Sequence, residues 1–331
     1  RPLIMTEKVL ALMGPTAAGK SSLAEALAEQ VDGELISVDS ALVYRGLSIG
    51  AAKPDYPHHL VHIRDPIEVY SAADFARDAK ATIADIRARG RKPILVGGSM
   101  LYFRALVQGF DPIPPIDSEI RAAIEAEAKT TGWPALHEQL TDVDPVIAAQ
   151  IHPNHSQRIC RALEVFRGTG LALSEWQRGE TTADAADYEC IALCPQDRGT
   201  LHAQIAVRLD AMFAAGLVTE VQALYQRGDL HTDLPSIRAV GYRQIWSYLE
   251  NEITLDECRE KILAATRQLA KRQLTWLRSW PDLSWLLIDA SGQIVETENA
   301  GASSLARDEV DTADGEAENW LARIKSMARN F

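Results

Sequence analysis

The sequence predicts an α/β protein: a parallel sheet covered on both faces by helices, with an inserted all-helical domain. Three observations predict it. Short apolar runs alternate with helical stretches over the first hundred residues, the pattern of a buried parallel sheet. The run Asp111-Pro112-Ile113-Pro114-Pro115 breaks this alternation, and from about Ile116 to Thr181 only helical spacing follows. An apolar run at Tyr188–Leu193 then resumes the sheet.

Taken in order, Val9–Met13 is a buried strand, and Ser22–Val31 has the spacing and composition of a helix. Leu35–Val38 is a second strand that ends at Asp39-Ser40. Ala72–Arg89 is a helix stopped by Gly90, and Pro93–Val96 is a third strand that ends at Gly97-Gly98-Ser99. Ligands of such sheets sit beyond the carboxyl ends of the strands, so these ends converge on one crevice. In the insertion, a Pro153-Asn154 turn precedes an amphipathic helix at Ser156–Arg167, and Gly179–Asp187 is a polar link. The chain is helical again from Asp197 to about Arg278, with a helix at Leu201–Ala215 and a loop at Pro235–Arg243, and Trp285–Asp289 is a last strand. Ala290–Ala317 is acidic and loose, and Trp320–Met327 forms a terminal helix. The predicted domains are residues 1–115 and 188–290 for the two parts of the core, 116–187 for the insertion and 291–331 for the tail.

Between the first strand and the first helix lies Gly14-Pro15-Thr16-Ala17-Ala18-Gly19-Lys20-Ser21. It fits the phosphate-loop pattern G-x-x-x-x-G-K-[ST] at every defined position. A strand, a glycine loop and a helix N-terminus aim backbone N–H groups at an anion. Lys20 adds a mobile positive charge, and Ser21 a hydroxyl for Mg²⁺. The core is therefore expected to be P-loop NTPase-like and to bind a di- or triphosphate.

Composition narrows the rest. With 46 acidic and 34 basic residues the net charge is −12, which argues against non-specific nucleic-acid binding over the whole surface but leaves room for a local basic groove. No apolar run approaches the roughly 20 residues needed to span a bilayer, and the first residues hold no apolar signal segment. A cytoplasmic protein is expected. Cys160, Cys190, Cys194 and Cys258 lack finger spacing and fit reduced thiols.

Asp39, at a strand end beside the phosphate loop, suits a general base or a water-mediated metal contact; a turn cap explains it equally well. Gly97-Gly98-Ser99 lets a backbone pass close to a ligand, or is plain turn chemistry. Arg208 on a helix is either functional or a solvated surface cation. Two basic helical patches stand out, Gln157-Arg158-Ile159-Cys160-Arg161 and Arg267–Arg278, with Trp276 near Lys271 and Arg272. A further segment joins Arg238, Gly241, Tyr242 and Arg243. Solvated faces explain most such runs, yet clustered cations and rings in an acidic protein also match a footprint for single-stranded RNA.

The sequence closely resembles the bacterial tRNA dimethylallyltransferase (tRNA isopentenyltransferase) family. The matching segments are GPTAAGKS (14–21), LISVDSALVYRGLSIGAAKP (35–54), PILVGGSMLYFRAL (93–106), IHPNHSQRICRALEV (151–165), DLPSIRAVGYRQIW (233–246) and TRQLAKRQLTWLR (266–278). The resemblance implies transfer of a dimethylallyl group from dimethylallyl diphosphate to N6 of the adenine 3′ of the tRNA anticodon, with Mg²⁺ as cofactor. It implies that residues 14–21 hold the diphosphate, that Thr16 contacts the leaving oxygen, that Arg208 helps hold the diphosphate, and that Asp39 orients the amine and takes its proton. Positions matching the family's RNA contacts are Ser40, Ala41, Leu42, Ser99, Arg121, Gln157–Arg161 and Arg238–Arg243; Lys271, Arg272 and Arg278 of the basic patch are further candidates to meet the RNA. The expected partners are the tRNA anticodon stem-loop and dimethylallyl diphosphate, met by a monomer away from any membrane. The usual Gly-Thr-Ala-Lys-Pro of the family is Gly50-Ala51-Ala52-Lys53-Pro54 here, and Ser99 replaces a frequent threonine. A small-molecule P-loop kinase, a relative acting on free adenine nucleotides and a catalytically silent RNA-binding module are the competing readings. The helical insertion and basic segments speak against the first two, and the intact phosphate loop with Asp39 against the third.

Overall fold

The apolar runs become strands in a computed structural model that describes residues 7–109, 113, 116–177, 185–299 and 320–328. The strands are β1 (Val9–Met13), β2 (Gly33–Val38), β3 (His58–His59), β4 (Lys92–Gly97), β5 (Tyr188–Pro195), β6 (Ser284–Ile288) and β7 (Ile294–Asn299). Among the described residues they form one sheet in the order β3-β2-β4-β1-β5-β6-β7. Every pairing is parallel except that of β7 with β6.

The helices of the core are α1 (Lys20–Val31), α2 (Ala72–Ala88) and α3 (Met100–Val107), and those of the insertion are α4 (Ser118–Thr131), α5 (Trp133–Val143), α6 (Pro145–Ala148), α7 (Ser156–Thr169) and α8 (Leu173–Trp176). The core resumes with α9 (Arg198–Ala214), α10 (Leu217–Tyr225), α11 (Tyr242–Leu249), α12 (Leu255–Arg278) and α13 (Trp320–Ala328). Two compact units result: residues 1–107 with 184–331, and residues 108–183. The second unit is helical and has its own core of Ile124, Leu136, Leu140, Ile159 and Leu163.

Period-2 alternation along β1 explains why its whole length is apolar. Val9, Ala11 and Met13 enter one core with Phe75 of α2, Phe103 of α3 and Leu277 of α12. Leu10 and Leu12 enter the other, with Leu27 of α1 and Trp320 and Ile324 of α13. Ser71 caps α2 through a box with Asp74, and Thr254 caps α12 through a box with Glu257.

The structure refines several expected elements. The helical stretch expected after Asp197 resolves into four helices: the helix expected at Leu201–Ala215 is α9, Gly216 (φ 101) turns the chain after it, and the Gly228–Gly241 stretch, which holds most of the loop expected at Pro235–Arg243, separates α10 from α11. Met100–Val107 forms α3 and His58–His59 forms β3, neither of which the sequence predicts. Ala185–Asp187 is a 3-10 turn rather than plain link. Residues 294–299 of the expected loose tail are β7, an edge strand stitched to β6. The remainder of that tail (300–319), of the proline-rich break (110–112 and 114–115) and of the link (178–184) lies outside the described residues.

Candidate active site

Register brings the candidate residues together. Met13 of β1 pairs with Gly97 of β4, and Val38 of β2 pairs with the same Gly97, so three adjacent strands end level. The phosphate loop, Asp39 and Gly98-Ser99 therefore leave the sheet at one edge, as expected for a parallel sheet with a switch in strand order. They line a cavity of about 530 Å³ together with Lys20, Ser21, Arg208, Arg238 and Arg272.

The phosphate loop wraps from β1 to α1. Gly19 sits at φ 84, a conformation that a side chain disfavours, and this starts α1 at Lys20 rather than Ser22. Ala17 also takes a positive φ of 62, backbone strain of the kind that collects at ligand sites. Gly14, Pro15 and Ala18 are buried beneath the loop. The Lys20 ammonium donates to the Pro15 carbonyl at 2.6 Å. Burial, and the Arg208 guanidinium beside it, bring Lys20 down to about 7. Arg208 reaches from α9 to the Thr16 hydroxyl at 3.5 Å, the outer limit of a hydrogen bond, and burial also lowers its pKa.

Asp39 caps a turn and also lines the cavity. Its Oδ1 accepts the N–H groups of Ala41 (2.7 Å) and Leu42 (3.0 Å), so it caps the turn after β2. Both bonds use one oxygen, which leaves Oδ2 for the cavity that Asp39 lines. Burial pushes its carboxyl above the usual range, and the two N–H donors, Lys20 and Arg208 oppose this. The N–H of Ser40 donates to the Ser99 hydroxyl at 2.9 Å, tying the ends of β2 and β4.

The RNA-facing candidates divide. Ser40, Ala41, Ser99, Arg238, Gly241 and Arg272 line the cavity, and Arg243, Lys271 and Arg278 are exposed outside it. Leu42 lines the cavity although its side chain is only 5% exposed. The Tyr242 ring is fully buried, with its hydroxyl bonded to Glu220, so it does not offer a face to a base. In the helical unit, Gln157, Arg158 and Arg161 are exposed on α7, whereas Ile159 and Cys160 are core side chains. The apolar side of the same amphipathic helix claims them. Arg121 of α4 and Arg161 share Glu164, at 3.5 and 3.2 Å.

Two residues that sequence reasoning missed shape the cavity wall. Glu220 of α10 accepts the N–H groups of Ser48 (3.2 Å), Ile49 (2.8 Å) and Gly50 (3.2 Å), as well as the Tyr242 hydroxyl. It thereby anchors the loop that brings Gly50, Ala51 and Ala52 to the cavity. Gln273 of α12 accepts the Thr16 N–H at 2.9 Å and donates to the Gly98 carbonyl at 2.9 Å. Its signal was present: a glutamine in the buried stripe Cys258, Ile262, Ala270, Gln273, Leu277.

Among the described residues, no group of three or more His, Cys, Asp or Glu side chains could hold a metal. A divalent ion here would depend on phosphate oxygens and water, with the exposed Ser21 hydroxyl as a hard oxygen donor. No single helix among the described residues is long and apolar enough to cross a membrane.

The model of the IPP transferase family matches residues 42–280. The full-length tRNA isopentenylpyrophosphate transferase of Bacillus halodurans is 34% identical, with 98% of this chain and 95% of that chain covered and a TM-score of 0.64. The tRNA delta(2)-isopentenylpyrophosphate transferase of Staphylococcus epidermidis is 32% identical over 85% of this chain and 93% of its own, with a TM-score of 0.59. A eukaryotic dimethylallyltransferase acting on tRNA is 27% identical over 86% of this chain and 74% of its own, with a TM-score of 0.70. A match that runs through cavity, basic helix and insertion alike leaves one conclusion: the chain belongs to the IPP transferase family.

Proposed function

We propose that this chain transfers a dimethylallyl group from dimethylallyl diphosphate to N6 of the adenine 3′ of the anticodon in tRNA. The observation that carries this is the phosphate loop and a half-buried carboxylate, Asp39, lining one cavity in a member of this family. The diphosphate lies against the loop N–H groups, Lys20 and Arg208, with Thr16 Oγ toward its bridging oxygen. The adenine leaves its stack to reach the cavity. N6 bonds to the allylic carbon as the carbon–oxygen bond to diphosphate breaks. The electron pair of that bond stays on the diphosphate, where the loop and cations stabilise it, and the N6 proton passes to Asp39. Burial that raises the Asp39 pKa strengthens it as a base. Met100, Leu101 and Met212 give the same cavity apolar wall for the prenyl tail. Mg²⁺ fits the hard-oxygen chemistry of Ser21 and phosphate, and when bound it would offset diphosphate charge. The proposed RNA contacts are the exposed cations of α7, the partly buried Arg121, and the exposed Arg238, Arg243, Lys271, Arg272 and Arg278.

A transfer assay with radiolabelled dimethylallyl diphosphate, Mg²⁺ and unmodified tRNA, run beside AMP and an ATP-only control, tests this. The expected result is label in tRNA that disappears when the adenine 3′ of the anticodon is replaced. Label in AMP alone, or ATP consumption without prenyl transfer, would overturn it. Asp39→Ala should lower kcat by a factor of about 10²–10⁴ while tRNA affinity stays close to wild type; an unchanged rate would remove Asp39 from its role.

A further inference from the structure

We propose that Gln273 is a positioning residue that locks the phosphate loop to the end of β4 and makes the placement of Thr16 depend on helix α12. The proposal rests on the function proposed above for its kinetic consequence, and on the geometry alone for its effect on anion binding.

The Gln273 side chain is 7% exposed and satisfied at both ends, by Thr16 N–H and by the Gly98 carbonyl. Those partners lie far apart in sequence and belong to two of the three strand ends that form the cavity. An amide is the neutral side chain that accepts with one terminal atom and donates with the other, so its chemistry matches this gap. The fit is close: a Cβ on Gly98 would stand 2.5 Å from Gln273 Nε2 and 3.1 Å from the Gly14 carbonyl oxygen. The same bond commits the Thr16 N–H to Gln273, so Thr16 can serve a diphosphate through its hydroxyl, the atom Arg208 approaches. The residue before Gln273, Arg272, and the residue three further on, Trp276, line the cavity from the same helix. RNA that engages α12 therefore engages the element that holds the phosphate loop in place. A rigid link of this kind couples the two substrates through the element that holds the loop.

Three full-length variants test it. Gln273→Met fills the space and removes both bonds. Gln273→Glu keeps the acceptor for Thr16 and, only when its carboxyl is protonated, the donor for Gly98. Gly98→Ala displaces the amide and leaves α12 unaltered. The readouts are kcat and KM for prenyl transfer, tRNA affinity, and pyrophosphate binding by calorimetry, each as a ratio to wild type at the same pH. The charged groups that share the cavity with Gln273 are Lys20, Asp39, Arg208 and Arg272, and the wild-type profile serves as the reference for their common contribution. We expect Gln273→Met and Gly98→Ala to lose about a hundredfold in kcat with tRNA affinity near wild type. For Gln273→Glu the ratio should climb as pH falls from 8 to 6, with no such climb for Gln273→Met. Wild-type-like kcat in Gln273→Met, or parallel pH profiles for the two Gln273 variants, would overturn the proposal. If the wild-type chain does not prenylate tRNA, the function falls, and Gln273 is still judged on pyrophosphate binding. There the loss in Gln273→Met and the acid recovery in Gln273→Glu are expected unchanged.

Discussion

At the scale of single residues, the cavity works by making ordinary groups unlike themselves. Lys20 sits near 7 because burial and Arg208 disfavour its charge. A bound diphosphate favours the ammonium, so binding above pH 7 takes up a proton, and affinity falls as pH rises through that range. Calorimetry of pyrophosphate binding at pH 8, in buffers of different ionisation heat, should show nearly one more proton taken up by wild type than by Lys20→Arg, which stays charged. Equal uptake by the two would contradict the assignment. In the chain without anion the sign for stability is separate: the native state holds fewer protons than the unfolded one between about 7 and the ordinary lysine value, so Lys20 costs stability at low pH and this cost fades as pH rises. Much of this scale was legible in the sequence, because Gly14–Ser21 is a contiguous motif and Asp39 directly follows a strand. Glu220 was not, and for Gln273 the buried stripe of α12 marks an odd polar residue without naming its contacts, since each acts through a partner more than 150 residues away. Tyr242 escaped for a related reason: no local pattern separates a ring that stacks on a base from one buried against another element, as this ring is against Gly50 and Glu220.

At the scale of elements, patterning found what was long and amphipathic and missed what was short or polar. β3 has two residues, too few for any period. β7 (IVETEN) pairs antiparallel at an edge, so one face need not be apolar, and its acidic residues gave it the composition of a tail. The last helix shows how tertiary contacts secure a segment that sequence leaves marginal. The Glu189 carboxylate of β5 accepts the N–H groups of Trp320 and Leu321, both at 3.0 Å, which answers the helix N-terminus with a negative charge. Trp320 Nε1 donates to the Lys8 carbonyl at 2.8 Å, and the ring is 1% exposed in the core with Leu10 and Leu27. Trp320→Ala should cost about 3–5 kcal/mol. Chemical denaturation should show the loss, and hydrogen exchange should show α13 opening first. A midpoint equal to wild type would mean that α13 contributes little to the core it covers.

At the scale of the whole molecule, an acidic chain binds a polyanion by concentrating its cations. Lys271, Arg272 and Arg278 share α12 in a protein of net charge −12. Replacing Lys271 and Arg272 together by Ala should weaken tRNA binding and flatten the dependence of log affinity on log salt by about 0.7 per lost contact on single-stranded RNA, with pyrophosphate binding little changed. An unaltered salt slope would place the RNA elsewhere. The fold class and the presence of an insertion were legible because strands buried on both faces spell continuous apolar runs; the pairing of distant strands was not, since it is written in no local period. That pairing sets a timetable for synthesis. A ribosome delivers β1, β2 and β4 early, yet the other flank of β1 belongs to β5, which follows the whole insertion. Until then β1 presents a bare hydrogen-bonding edge, and Leu10 and Leu12 still await the tryptophan of α13. The nascent chain thus spends much of its translation as half a sheet, the state in which shielding by a chaperone matters most.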